Sequence, residues 1–225
     1  MSVKILKRIE PVSKKDRVLA TLREAIISGQ ISPGAAIVEV KVAQKLGVGQ
    51  PIVREALIEL EHQGFVRREA YRATYVTKLK RTEIEQAFRI RSELEGLAIE
   101  WARPRVTPAD VEALRSLAEG MKQGAAKMDL DQFYENDIAL HRKIWELSGN
   151  KYLVDALERI VVPLFAFFLM KTRRIQESYI QSAAMHMKIV ESLQTMEPAR
   201  LRQLHVSALA DFKDQWITTL LPEDE

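Results

Sequence analysis

Cysteine is absent from the 225 residues of this chain. A disulfide framework, a thiol nucleophile and a thiolate metal site are therefore excluded, and the absence suits a reducing cytosol. Long apolar runs are missing as well. The most apolar run, Ile160–Met170, is too short to span a bilayer, and residues 1–11 lack the pattern of a signal peptide. We expect a cytoplasmic protein with no membrane partner.

Signals for strands are sparse, and the charge is unevenly spread. After residue 81 the periodicity is helical throughout, which predicts an all-α bundle of six or seven helices. Residues 1–80 carry 15 Lys and Arg against 8 Asp and Glu, whereas residues 81–225 carry 19 against 23. We predict two domains with a boundary at 80/81, of which the basic first one meets a polyanion.

The stretch Val38–Gly64 predicts two short helices joined by a tight turn. Apolar residues at three-to-four spacing end at Gly47, and Pro51 stands where a second helix can begin. The segments Phe65–Arg68 and Thr74–Val76 then predict two strands of a wing. The fold class we predict is mainly α, with an N-terminal winged helix-turn-helix before the helical bundle.

The exposed start of the second helix and the wing hold candidate DNA-binding residues. Such a helix usually enters the major groove, where Arg54 can reach a phosphate or guanine and Gln50 can pair with adenine. The alternative is plain packing with solvated arginines, and periodicity alone leaves both open. The candidates are Gln50, Pro51, Arg54, Arg67, Arg68, Tyr71 and Arg72.

The segments LREAIISGQISPG, VAQKLGV, VREALIELEHQGFV and RREAYRATYV closely resemble the DNA-binding domain of the GntR family of bacterial transcription regulators. The resemblance covers residues 16–76 and implies binding to double-stranded DNA. Gln50 replaces the family's usual arginine, Pro51 a threonine, and Ala73 the wing-tip glycine. We therefore expect the family's frame without its operator sequence.

Ionisable residues fall on apolar helix faces in the second domain. Asp137 and His141 lie four residues apart on one stripe, and His186 and His205 share faces with apolar residues of later helices. Buried charge is expensive, so these groups either satisfy one another or hold a divalent metal such as zinc, nickel or manganese. The alternative to a metal site is a hydrogen-bonded Asp–His pair with two core histidines, and spacing alone favours it slightly, since a lone inward histidine is usually structural.

Two motifs resemble the FCD effector domain of the FadR-type branch of GntR regulators, namely Arg91-Ser-Glu-Leu-Glu95 and Asp137-Ile-Ala-Leu-His141. The resemblance implies a metal, held by an aspartate and three histidines below a pocket for small organic acids. Asp137, His141 and His186 match three ligand positions. The fourth falls at Ala208, which leaves three alternatives: His205, one turn earlier, substitutes for it, the site has only three protein ligands, or the domain is metal-free as in some members of the branch.

Arg91 lies in an apolar stripe one turn before Glu95. It can bind an effector carboxylate, or it can pair with Glu95 within the helix. We expect a non-enzymatic regulator that binds a pseudo-palindromic operator as a homodimer and responds to a carboxylate effector. A helical metalloenzyme is one rival, although HExxH, GxSxG and a phosphate loop are absent from the sequence. An adaptor that no longer binds DNA is the other.

Overall fold

The computed structural model describes residues 13–69 and 73–220, without the side chains of residues 216–220, and the chain divides into two compact units between Val76 and Thr77. This break lies four residues before the predicted boundary at 80/81. The first unit contains α1 (Lys14–Ile27), β1 (Ala36–Ile37), α2 (Glu39–Leu46), α3 (Gln50–His62), β2 (Val66–Glu69) and β3 (Ala73–Val76).

The helix-turn-helix forms as predicted. α2 ends at Gly47, whose φ of 65° is left-handed and favours glycine. Gly49 is extended and precedes α3, and Pro51 occupies the first turn, where its missing N–H is tolerated. The predicted inward stripe of α3 is fully buried and packs against α1 and α2. Its members are Val53, Ala56, Leu57 and Leu60.

The wing is one antiparallel sheet of three strands in the order β1-β3-β2. The observed strands β2 and β3 match the two predicted strands to within one residue at each end, and Val66 lies opposite Val76. β1 was not predicted; in it Ala36 pairs with Tyr75 and Ile37 with Thr74. A two-residue strand is too short to show alternation, and only its partner strand defines it.

The second unit is helical throughout its described residues, as predicted. Its helices are α4 (Arg81–Ala102), α5 (Pro108–Lys127), α6 (Leu130–Leu147), α7 (Lys151–Thr172), α8 (Gln176–Ser192) and α9 (Pro198–Leu220). α5 packs on α6 and α8, while α4 packs on α6, α7 and α9. None of the helices in the described ranges is long and apolar enough to cross a membrane.

Side chains of the first turn cap two helix starts of the second unit. At α5 the Thr107 hydroxyl accepts from the backbone N–H of Asp110, whose carboxylate accepts from the Thr107 N–H in return. α4 begins at Arg81, and the Glu83 carboxylate accepts from the backbone N–H of Lys80 at 2.7 Å.

α5 packs closely on the start of α6 at Gly124. A Cβ built there would lie 2.7 Å from the Phe133 backbone nitrogen, and backbone cannot rotate away. At Gly120, one turn earlier, the three atoms nearest to an added Cβ all belong to the side-chain amide of Asn136, which can move. We expect Gly124→Ala to lower the free energy of unfolding by about 1–3 kcal/mol relative to Gly120→Ala.

Urea denaturation of the two variants measures this difference, and the gain in helix propensity cancels because both change glycine to alanine in one helix. Equal stability of the two variants would contradict the close approach of the helices at Gly124.

Candidate functional site

Three of the four predicted metal ligands meet in the second unit. Asp137 and His141 lie one turn apart on α6, and His186 faces them from α8. The Nε2 atoms of the two histidines are 2.8 Å apart. Asp137 Oδ1 lies 3.6 Å from Nε2 of His141 and 3.4 Å from Nε2 of His186. We call these three residues the Asp–His cluster.

Hydrogen bonds on the far side of each ring define the tautomers in the Asp–His cluster. His141 Nδ1 lies 2.9 Å from the Glu95 carboxylate, and His186 Nδ1 lies 2.7 Å from the backbone carbonyl of Ser182. Both partners are acceptors, so each Nδ1 carries a hydrogen. Burial lowers the pKa of His186 to about 4, against the opposing effect of Asp137, so this ring is neutral near pH 7. Its Nε2 therefore presents a lone pair.

The Asp–His cluster consequently brings three electron-pair donors together. Asp137 Oδ1 is buried and accepts no hydrogen bond from any described residue. Two nitrogen lone pairs and a carboxylate oxygen repel one another unless an extra proton or a metal cation lies between them. A tetrahedral zinc ion, about 2.0–2.1 Å from each nitrogen, needs ligand atoms roughly 3.3 Å apart, near the separations found here. The donor set and its spacing fit a divalent metal.

Glu95 contacts the Asp–His cluster through the Nδ1 side of His141, and it was not predicted to be a site residue. One oxygen accepts from His141 at 2.9 Å and from the Trp145 indole at 3.1 Å. The other lies 2.9 Å from Arg91 Nε and 3.2 Å from His205 Nε2. Burial alone would raise the pKa of Glu95, but Arg91 and the histidines outweigh it and hold the pKa well below its usual value. The signal available in the sequence was a carboxylate one turn from an inward arginine.

The fourth predicted ligand, His205, is not brought into the Asp–His cluster. Its Nε2 points to Glu95, and its Nδ1 is buried without a hydrogen bond to any described residue. It lines the same cavity as the cluster, as does Ala208, one turn further along α9. His205 thus contacts the Glu95 carboxylate, which also accepts a hydrogen bond from His141, and does not contact the Asp–His cluster directly.

Of the two sequence interpretations of Arg91, the structure shows the pairing with Glu95, while effector binding stays a prediction. The guanidinium pairs with Glu95 through Nε, and its side chain is only 5% exposed. Its central carbon lies 4.6 Å from the ring centre of Phe165 and 5.3 Å from that of Phe88, within cation–π range. Among the described residues, none accepts a hydrogen bond from its two terminal NH2 groups. Arg91 also lines the cavity, so these donors are available to an anion.

In the first unit, three of the DNA-binding candidates lie at the start of α3. Two of them donate hydrogen bonds to Glu39, a residue at the start of α2 that was not predicted to belong to this surface. Its carboxylate accepts from Gln50 at 2.9 Å and from Arg54 at 2.9 and 3.1 Å. Hydrogen bonding from Arg54 is the main reason that the pKa of Glu39 is lowered. Pro51 is exposed beside them. Packing of two helices in the motif brings Glu39 close, and spacing within one helix cannot reveal it.

The wing candidates lie on β2 or outside the described residues. The Arg67 side chain is 59% exposed and lies 3.7 Å from Glu69, a weak ion pair at most. The backbone N–H of Arg68 donates to the Glu61 carboxylate at 3.0 Å. Tyr71 and Arg72 belong to the residues that the structure does not describe.

Comparisons with known proteins cover both units. The profile described as "Bacterial regulatory proteins, gntR family" matches residues 14–76, and that of the FCD domain matches residues 86–210. The Escherichia coli HTH-type transcriptional regulator McbR is 27% identical over 155 residues, covering 69% of this chain and 70% of its own. The probable D-xylose utilization operon transcriptional repressor of Paenarthrobacter nicotinovorans is 27% identical over 192 residues, covering 85% and 84%.

Solved structures of similar proteins agree in fold. A chain from E. coli McbR/YncC superposes with a TM-score of 0.66 at 24% identity, over 93% of this chain and 98% of that one. A putative transcriptional regulator GntR from Rhodococcus sp. RHA1 gives 0.68 at 21% identity, over 93% and 99%. The relatives and neighbours named here are transcriptional regulators, not enzymes.

The arrangement around Glu95 predicts a large loss of stability on its neutralisation. In Glu95→Gln the amide has one acceptor oxygen instead of two and no charge, which leaves Arg91 buried without its counter-ion. Removing one partner of such a buried pair costs about 3–5 kcal/mol. Urea denaturation of metal-free protein measures this loss.

Glu93→Gln is the matched control, because Glu93 lies on the same helix with its side chain 71% exposed and an ion pair to Arg202. We expect it to change stability by less than about 1 kcal/mol. A similar change in both variants would refute the buried role of Glu95.

Proposed function

Because the chain belongs to the GntR family of bacterial regulatory proteins and carries an FCD domain, we propose that this transcription regulator changes its operator affinity on binding a small carboxylate effector. The effector binds beside a divalent metal ion in the helical unit. One observation carries the proposal: three facing electron-pair donors lie in the same cavity as a buried guanidinium with two unpaired NH2 groups.

Asp137, His141 and His186 are the proposed metal ligands. Oxygen and imidazole nitrogen suit zinc best, and they also suit nickel or manganese. Three protein ligands leave at least one coordination position open, as in sites where zinc meets an exogenous ligand. The metal supplies a positive centre for an effector oxygen. Glu95 orients the His141 ring through Nδ1, the usual arrangement behind a metal-bound histidine.

Arg91 is the proposed second anchor for the effector. Its Nε is occupied by Glu95, and the pair of rings from Phe88 and Phe165 limits the movement of the guanidinium. The free NH2 groups can donate to a carboxylate with little further loss of side-chain freedom. A ligand with one carboxylate can therefore meet the metal and the arginine together.

Regulation follows from linkage in a proposed homodimer. Two recognition helices read half-sites about 34 Å apart for each helical turn of DNA, so a pseudo-palindromic operator is sensitive to their separation. An effector changes operator affinity only if it binds one arrangement of the protomers more tightly than the other. Such coupling is reciprocal, so operator DNA should change the effector's affinity by the same factor.

For the DNA-binding surface we propose Gln50, Pro51 and Arg54 in α3 with Arg67 and Arg68 in the wing. Tyr71 and Arg72 complete the proposed set. Glu39 forms an ion pair with Arg54, and we propose that this carboxylate weakens the attraction of Arg54 for phosphate. The Glu39 carboxylate also accepts a hydrogen bond from the amide nitrogen of Gln50, so the amide oxygen of Gln50 is free to accept a hydrogen bond from a base.

Metal content tests the Asp–His cluster. We expect the purified wild-type chain, dialysed against zinc and then metal-free buffer, to retain about one ion per chain. His141→Ala and His186→Ala should each lower the metal affinity by at least about tenfold, because each removes a ligand. Elemental analysis and zinc titration with a chelating dye measure both.

The chain offers a matched control in His62→Ala, since His62 is the remaining histidine and is exposed on α3 of the first unit. It should retain wild-type metal. Negligible metal in all four proteins would overturn the metal site.

Salt dependence tests the DNA-binding surface. Glu39→Gln releases Arg54 from its ion pair, and one more phosphate contact steepens the fall of log affinity with log salt by about 0.9. Fluorescence anisotropy with a generic duplex measures the slope, and Glu55→Gln is the control because it removes the same charge from an exposed position on α3. Equal slopes in the two variants would refute the role of Glu39. Failure of every protein to bind duplex at low salt would favour the adaptor.

A further inference from the structure

The cavity that contains the Asp–His cluster is lined by that cluster and Arg91, which we call its polar wall, and by a larger number of apolar side chains, which we call its apolar wall. The apolar wall includes Phe133, Phe168, Leu169, Ile189, Leu209 and Phe212. An effector held at the polar wall must place the rest of its body against the apolar wall.

Five residues with hydroxyl groups line this cavity, and three of them already donate their hydrogens within the protein. Thr172 donates to the Phe168 carbonyl at 2.8 Å, and Ser178 donates to the Ile175 carbonyl at 2.8 Å. The Tyr179 hydroxyl lies 2.9 Å from the Thr172 oxygen, to which it donates since the Thr172 hydrogen is used. These three groups offer no spare hydrogen to a ligand. A ligand rich in hydroxyls would lose hydrogen bonds to water, and these three groups could not donate hydrogen bonds to replace them.

Aromatic rings form part of the apolar wall. Phe168 and Phe212 meet edge to face with their centres 5.4 Å apart, and Phe88 stacks beyond them at 6.2 Å from Phe212. The cavity measures about 110 Å³. An apolar protein cavity of about 150 Å³ holds one benzene molecule, so the smaller space here has no room for a long acyl chain and limits the ligand to a compact body.

We infer that the effector is a monocarboxylate with a compact apolar body, aromatic or branched aliphatic, and not a sugar acid or another polyhydroxy acid. This inference rests on the proposed function for the place of the carboxylate. The carboxylate meets the metal and Arg91, and the apolar body lies against Phe168, Leu209 and Phe212.

Calorimetric titration of the zinc-loaded, full-length protein tests the inference with defined probes. Phenylacetate and 4-methylpentanoate represent the proposed class, gluconate the polyhydroxy class, and 2-phenylethanol an apolar body without a carboxylate. We expect the two apolar acids to bind at least about 100-fold more tightly than gluconate, since a polar group that loses its partners is strongly rejected. The alcohol should bind at least about tenfold more weakly than phenylacetate, because it cannot engage Arg91 as an anion.

A cavity-filling variant shows where the apolar body lies. Ala208 lines the cavity on α9, whereas Ala210 is exposed on the same helix. Ala208→Met should weaken phenylacetate at least about tenfold and leave acetate, which lacks the body, within about twofold; Ala210→Met should change neither.

The outcomes separate the inference from the proposed function. Gluconate binding as tightly as phenylacetate, or equal effects of the two methionine variants, would overturn the apolar class while leaving a carboxylate effector in place. No binding by any carboxylate, or equal binding of phenylacetate and the alcohol, would overturn the proposed carboxylate site and the inference with it.

Discussion

The buried carboxylate of Glu95 is the interaction on which the second unit depends. It meets Arg91 on its own helix, His141 and Trp145 on α6, and His205 on α9, and its side chain is only 1% exposed. A lone carboxylate in such a place would be neutralised or would unfold the site. Four donors from three helices keep it charged. They also link α4, which carries Arg91, to α6, which carries two of the three proposed metal ligands.

Charge balance extends this constraint to the ligands that the site would hold. With neutral histidines, Arg91 offsets Glu95, and the Asp137 charge stands alone among electron pairs. A divalent cation would turn this deficit into a single excess positive charge, which one carboxylate would cancel. A dicarboxylate would leave a negative charge in a largely apolar cavity, at a desolvation penalty. Electrostatics and the apolar wall therefore favour the same kind of ligand.

How much of this was visible in the sequence depends on the range of the interaction. Periodicity and punctuation within a segment predicted the helix-turn-helix, the helical second domain and the inward faces of Asp137, His141 and His186. The meeting of His186 with Asp137 and His141 was predicted only through the family resemblance, and the pairings made by Glu39 and Glu95 with distant residues were not predicted. Glu39 lies 15 residues from Arg54, and Glu95 lies 50 from Trp145, so no local pattern links them. The two-residue β1 was missed for the same reason, and the position of His205 depends on how α9 packs against α4.

The two carboxylates that were missed act in similar ways, one in each unit. Glu39 holds Gln50 and Arg54 at the proposed DNA-binding surface, as Glu95 holds Arg91 and His141 in the cavity. Their settings differ, since Glu39 faces an exposed arginine that a phosphate could take over, whereas Glu95 is sealed from solvent. Exchange of partners is thus feasible at the surface and unfavourable in the core. In the proposed mechanism an effector at Arg91 would act on α4 as a rigid element anchored by Glu95. α4 begins at Arg81, four residues after the break between the units, so it is the helix of the second unit with the shortest covalent path to the first.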